Sequence, residues 1–167
     1  MQYQITNHNV ILNVKRPNLF VRGTMFFFAF LFFVLPFISI ILSIAMGYGM
    51  QIGYFILLII FGLVGFYLLR IALWNTYGKE IIEITNKQIH YIADYGWFKD
   101  GKKQIELLEN RAEPIAFGIR KIGYEEDNKG ALTIMLGEET IFCVTKMNIS
   151  EIEEVIVYLK KLVDNKI

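Results

Sequence analysis

Apolar and polar positions fall into distinct regimes along the chain. From Gly23 to Leu69 there is no Asp, Glu, Lys, Arg or His, and the block divides into Thr24–Met46 and Ile52–Leu73 around Gly47-Tyr48-Gly49-Met50-Gln51. As helices, segments of this length cover roughly 33 to 35 Å, against a bilayer core of about 30 Å. Phe, Leu, Ile and Val each favour insertion by roughly 0.3 to 0.6 kcal/mol near a helix centre, which outweighs the weaker Ser39, Ser43 and Gly62. Two spans are predicted, antiparallel because the link is too short for a domain. Pro36 removes one backbone donor, so a kink and not a helix end is expected there. Gly53, Gly62 and Gly65, with Ala29, Ser39 and Ser43, are candidates for close helix approach.

Beyond Trp74 the pattern breaks into short runs punctuated by turn residues. Glu80 to Thr85 and Gln88 to Tyr95, joined by Asn86-Lys87, read as two antiparallel strands. Gly96 to Lys102 reads as the next connection. Lys103 to Leu108, Ile115 to Ile119, Ala131 to Leu136 and Thr140 to Thr145 follow as strands, with Gly137-Glu138 as a second hairpin turn. Ser150-Glu151-Ile152-Glu153 matches a capping box. From there Ile152, Val155, Ile156, Leu159 and Leu162 recur at steps of three and four, which predicts an amphipathic terminal helix lying on a sheet. Tyr3 to Val14 adds a strand, or is disordered or interfacial.

Charge orients this layout. The net charge is only +1, but the residues preceding the apolar block, Lys15, Arg16 and Arg22, are all basic, and Arg70 and Lys79 follow it. A basic excess beside the spans places both termini in the cytoplasm of a multi-pass protein of the cell membrane. Arg22, Arg70, Trp74 and Tyr77 are the expected membrane-interface anchors, the arginines by extending to the headgroups and the aromatics by their amphipathic rings. Ser43-Ile44-Ala45 loosely matches a cleavage site, but the apolar stretch exceeds the usual 7 to 15 or so residues and a second span follows, so a retained anchor is expected. The organisation is then residues 1–22 as a cytoplasmic segment, 23–74 as the transmembrane hairpin (24–46 and 52–73), and 75–167 as a cytoplasmic domain. Cys143 has no cysteine partner in the chain and reads as a small buried hydrophobe.

A strand meander closed by one C-terminal helix behind a two-helix hairpin resembles the membrane-anchored bacterial pleckstrin-homology-like (PH-like) proteins. The local carriers are Trp74-Asn75-Thr76-Tyr77-Gly78-Lys79-Glu80-Ile81-Ile82-Glu83-Ile84, Gly130-Ala131-Leu132-Thr133-Ile134 and the Ser150 to Val163 helix. The resemblance implies an α+β membrane protein: a transmembrane hairpin, then a bent antiparallel barrel of seven strands with the helix plugging one end. Six strands are legible in the pattern, so one is missing or lies hidden near Lys121 to Glu125.

Candidate chemistry is sparse. His8 and His90 are far apart in sequence, and neither zinc-ligand spacing nor a nucleophile elbow is present. Glu80 with Glu83, and Glu125-Glu126-Asp127, can be read as paired acids or as exposed strand and loop positions; the second lacks an EF-hand frame. Gly96 to Gly101 matches no phosphate-binding fingerprint. No catalytic residue, metal site, cofactor, small-molecule substrate or nucleic-acid partner is expected, and the protein is read as non-catalytic. Lys99, Lys102 and Lys103 are candidate lipid-headgroup contacts, each worth about 1 kcal/mol beside an anionic leaflet. The leading expectation is a docking or assembly module for other membrane proteins or a second copy. Anionic headgroup sensing is the alternative, and a small membrane enzyme is the least supported.

Overall fold

The computed structural model describes residues 1–6, 9–85, 88–107, 114–122 and 128–164. Its elements are β1 (Tyr3–Thr6), β2 (Asn9–Asn13), α1 (Leu19–Ala45), α2 (Ile52–Tyr77), β3 (Lys79–Ile84), β4 (Gln88–Asp94), β5 (Lys99–Glu106), β6 (Ala116–Lys121), β7 (Lys129–Leu136), β8 (Glu139–Phe142), β9 (Met147–Asn148) and α3 (Ile149–Asp164). The protein is α+β, with two long apolar helices, antiparallel sheets and a C-terminal helix. It forms two compact units, one of Arg16–Thr76 and one in which Met1–Lys15 joins Tyr77–Ile167.

In the helical unit, α1 and α2 run for 27 and 26 residues, long and apolar enough to cross a membrane. Helix α1 continues through Pro36. The link between the helices is tied by side chains: Ser43 Oγ donates to the Gly49 carbonyl at 3.2 Å and accepts the Tyr54 hydroxyl at 2.7 Å. Of the three glycines expected to permit close approach, only Gly65 does so. A Cβ there would lie 3.1 Å from the Phe33 ring, whereas Gly53 and Gly62 face open space. Phe32 and Phe61 pack beside this contact, with ring centroids 5.4 Å apart.

The sheet unit contains a five-stranded sheet in the order β1-β2-β3-β4-β5 and a second sheet in which β7 pairs with β6, β8 and β9. The described strands lie in two sheets and not in a closed barrel of seven. The two additional strands at the front come from Tyr3–Asn13, which pairs through Asn9↔Glu83 to Asn13↔Lys79. The leader is therefore part of the sheet, and the helical unit is an insertion in what is otherwise a β-hairpin. Val14 N–H still bonds to the Gly78 carbonyl at 3.1 Å, directly across the point of insertion. Residues 123–125, within the stretch expected to hold a further strand, lie outside the described residues, as do His8, Asn86-Lys87 and Glu125-Glu126-Asp127.

Strand alternation explains the core. Val10 and Leu12 of β2, Ile82 and Ile84 of β3, Ile89 of β4, and Leu132 and Ile134 of β7 are buried together with Ile152, Val155 and Leu159 of α3. The α3 stripe is the predicted one, extended by Val163. The helix begins at Ile149, so Ser150 lies inside its first turn and not at a cap. Glu151, not Glu153, makes the contact at this end, accepting the Gln2 backbone N–H at 3.3 Å.

The β4–β5 connection is shorter than expected. It is only the turn at Gly96-Trp97, closed by Tyr95 N–H to the Phe98 carbonyl at 2.9 Å, and Lys99 to Lys102 already belong to the edge strand β5. Gly96 and Gly101 have φ of +88° and +65°, conformations that cost an L side chain about 1–2 kcal/mol. Gly101 marks a β-bulge: Tyr91 pairs with Lys103 but Ala93 pairs with Asp100, so β5 carries one extra residue.

Candidate functional site

Glu80 lies on the same side of β3 as Ile82 and Ile84, and this parity takes its carboxylate into the interior, where it is fully buried. Oε1 accepts the Tyr91 hydroxyl and the Val144 N–H at 2.6 Å, and Oε2 accepts the Thr145 N–H at 2.9 Å. The chain after β8 is thereby fastened to the five-stranded sheet by one acid. Glu83 is exposed on the opposite face, so the two do not form an acid pair. This is a structural clamp, since all its donors are groups of the protein itself.

The clamp shifts its neighbours. Burial, then the Glu80 charge and hydrogen bond, push the Tyr91 phenol far above its ordinary range. Burial, then the Glu80 charge, raise the Cys143 thiol. Both groups therefore fold in their protonated forms. Their stabilisation is complete below the unfolded-state values, near pH 10 for tyrosine and pH 9 for cysteine, and is lost as pH rises past them. Tyr91→Phe is expected to lower stability at neutral pH by about 1–2 kcal/mol through the lost hydrogen bond and to flatten the alkaline loss. Melting temperatures across pH 8–11 check this, with 10.0 as the ordinary tyrosine value. Equal alkaline slopes in variant and wild type would contradict it.

The three lysines do not converge. Lys99 pairs with Asp94, and Lys102 lies at the bulge opposite Ile92; both are exposed on the outer face of the five-stranded sheet. Lys103 pairs with Tyr91 on the inner side and donates from Nζ to the Thr140 carbonyl of β8 at 3.1 Å. Asp94 already carries the Lys79 ammonium at 3.6 Å and the Gly96 N–H at 2.8 Å. Lysines and a bulge on an outermost strand are also what keeps a sheet edge from pairing with other chains. His90 is half-buried on that outer face between Glu83 and Gln104.

Of the expected interface anchors, Arg22 is half-buried near the start of α1, Arg70 and Trp74 are half-buried on α2, and Tyr77 ends α2 with 49% exposure. Among the described residues no three His, Cys, Asp or Glu side chains gather as metal ligands.

The exposed outer face of the second sheet is not legible as a site from the sequence. Register places Phe142 beside Thr133 and Gly118, and Met135 beside Ala116 and Thr140. Phe142 and Val144 are 49% and 58% exposed. The Arg120 guanidinium lies over the Phe142 ring at 5.3 Å and reaches the Cys143 carbonyl at 3.5 Å. Gly118 leaves the surface flat where Met135 Cε crosses it. The one signal in the chain is Ile141-Phe142-Cys143-Val144, a run apolar on both faces of a strand.

Comparison of the chain with protein-family models, curated proteins and solved structures finds no match.

Proposed function

We propose that the chain is a non-catalytic integral membrane protein. Its apolar helices cross the bilayer as a hairpin with both termini cytoplasmic, and its sheet unit, of the PH-like type, is a docking platform for other membrane proteins. The observation that carries the docking reading is the Arg120, Met135, Phe142 and Val144 surface. Arg, Met and aromatic side chains are the types enriched where protein partners meet, and a flat apolar patch rimmed by polar residues suits a partner better than a small substrate. The insertion of the hairpin between β2 and β3 supports the same reading, because both ends of the anchor lead into adjacent strands of one sheet.

A photo-crosslinking phenylalanine analogue at Phe142, in membranes at native expression, is expected to capture another membrane protein. The same probe at the exposed Glu153 on α3 is expected to capture none. Recovery of the chain alone from both positions would end the docking reading. A reporter fused at Ile167 and found outside the cell would end the orientation.

A further inference from the structure

The β4–β5 turn exposes a large aromatic side chain close to where α2 ends. Trp97 is 65% exposed at the tip, while the flanking Tyr95 and Phe98 stack on each other at 4.8 Å. Gly96 lies so close to Tyr77 that a Cβ on it would be 2.7 Å from the Tyr77 Cβ. This contact is internal to the sheet unit, and Tyr77 is also the last residue of α2. If Leu73 marks the end of the hydrocarbon span, Tyr77 lies about 6 Å beyond it at 1.5 Å per residue. That is the depth of the headgroup layer, which adds roughly 5–7 Å to each side of the core. A tryptophan in that layer satisfies both its apolar ring and its N–H.

The nearby charges argue for the ring over the lysines. Lys79 is paired with Asp94, which also neighbours Lys99 across the strands, and Lys103 is turned to Thr140. Lys102 stays exposed on the outer face of β5, and dependence on salt separates its pull on a headgroup from that of the ring.

We propose that Trp97 is an additional membrane anchor. The Tyr95–Phe98 tip beds in the headgroup layer of the leaflet from which α2 emerges, and it fixes the height and tilt of the sheet unit through its aromatic ring. This rests on reading α1 and α2 as spans.

The chain contains two tryptophans, Trp74 and Trp97, so each can be observed alone. The full chain is reconstituted in phosphatidylcholine vesicles containing lipid brominated near the headgroup end of its acyl chains. Trp74→Phe then reports Trp97, and Trp97→Phe reports Trp74. The difference between wild type and Trp97→Phe gives the Trp97 signal again without altering Trp74. Both tryptophans are expected to be quenched, Trp97 by about twofold, and equally at low and high salt because aromatic partitioning is not screened as charge attraction is. A quenched Trp74 beside an unquenched Trp97 overturns the anchor and leaves the spans standing. Quenching of neither overturns the spans as well. Quenching of Trp97 that requires anionic lipid or disappears in salt assigns the contact to the lysines and overturns the aromatic anchor.

Discussion

Glu80→Ala is expected to destabilise the sheet unit by about 3–5 kcal/mol, because each donor left without its acceptor costs about 1–3 kcal/mol. Three donors lose their acceptor at once, and two are backbone N–H groups, at Val144 and Thr145, that every residue but proline retains. Exchanging a buried ion pair for packed hydrocarbon is often harmless, but that route is closed here. Glu80→Leu with Tyr91→Phe would still leave two amides without their acceptor, and the buried one at Thr145 costs about 1–3 kcal/mol. Glu80→Gln retains the shape and one acceptor oxygen while turning an NH2 toward a donor, so about half the loss is expected from the same hydrogen-bond values. Denaturant unfolding in detergent micelles measures the series. A loss below about 0.5 kcal/mol for Glu80→Ala, the range of a solvent-exposed substitution, would show that the carboxylate is not the clamp.

The same residue shows how much of this molecule its sequence discloses. Glu80 looks like a solvent-facing acid, yet its parity with Ile82 and Ile84 already puts it inside; polarity misleads where alternation does not. The apolar helices are legible because a soluble core of this size has no use for an uncharged run that long. Most strands downstream of them are legible because one face of each is buried. Lys99 to Lys102 resemble a loop in sequence, since an edge strand with a bulge contacts solvent on most sides and has no apolar periodicity to betray it. Strands β1 and β2 are ambiguous for a different reason. Val10 and Leu12 alternate with Asn9, Ile11 and Asn13, but their partner strand lies beyond both apolar helices, and no local pattern encodes a pairing at that separation. The outer surface around Phe142 emerges only once register shows which face of β8 the core occupies.

The hairpin insertion predicts an all-or-none result from truncation. A fragment of Tyr77–Ile167 is expected not to fold, whereas Met1–Lys15 joined to Tyr77 by a short glycine-rich link is expected to fold cooperatively without detergent. In the fragment, Val10 and Leu12, 0% and 1% exposed in the intact unit, are missing from the core. Burying such side chains contributes about 1.5–3 kcal/mol each, and β3 also loses its β2 partner and becomes an open edge. Against a typical net stability of about 5–15 kcal/mol, those losses are enough to unfold a unit of this size. The linked protein restores them cheaply, because Val14 and Gly78 are already hydrogen-bonded across the insertion and the link has little distance to span. Circular dichroism and denaturant unfolding of the two proteins decide the matter. A cooperative transition in the fragment alone would show that β1 and β2 are peripheral. Failure of the linked protein, with the full chain folded, would show that the sheet unit depends on its helical insert.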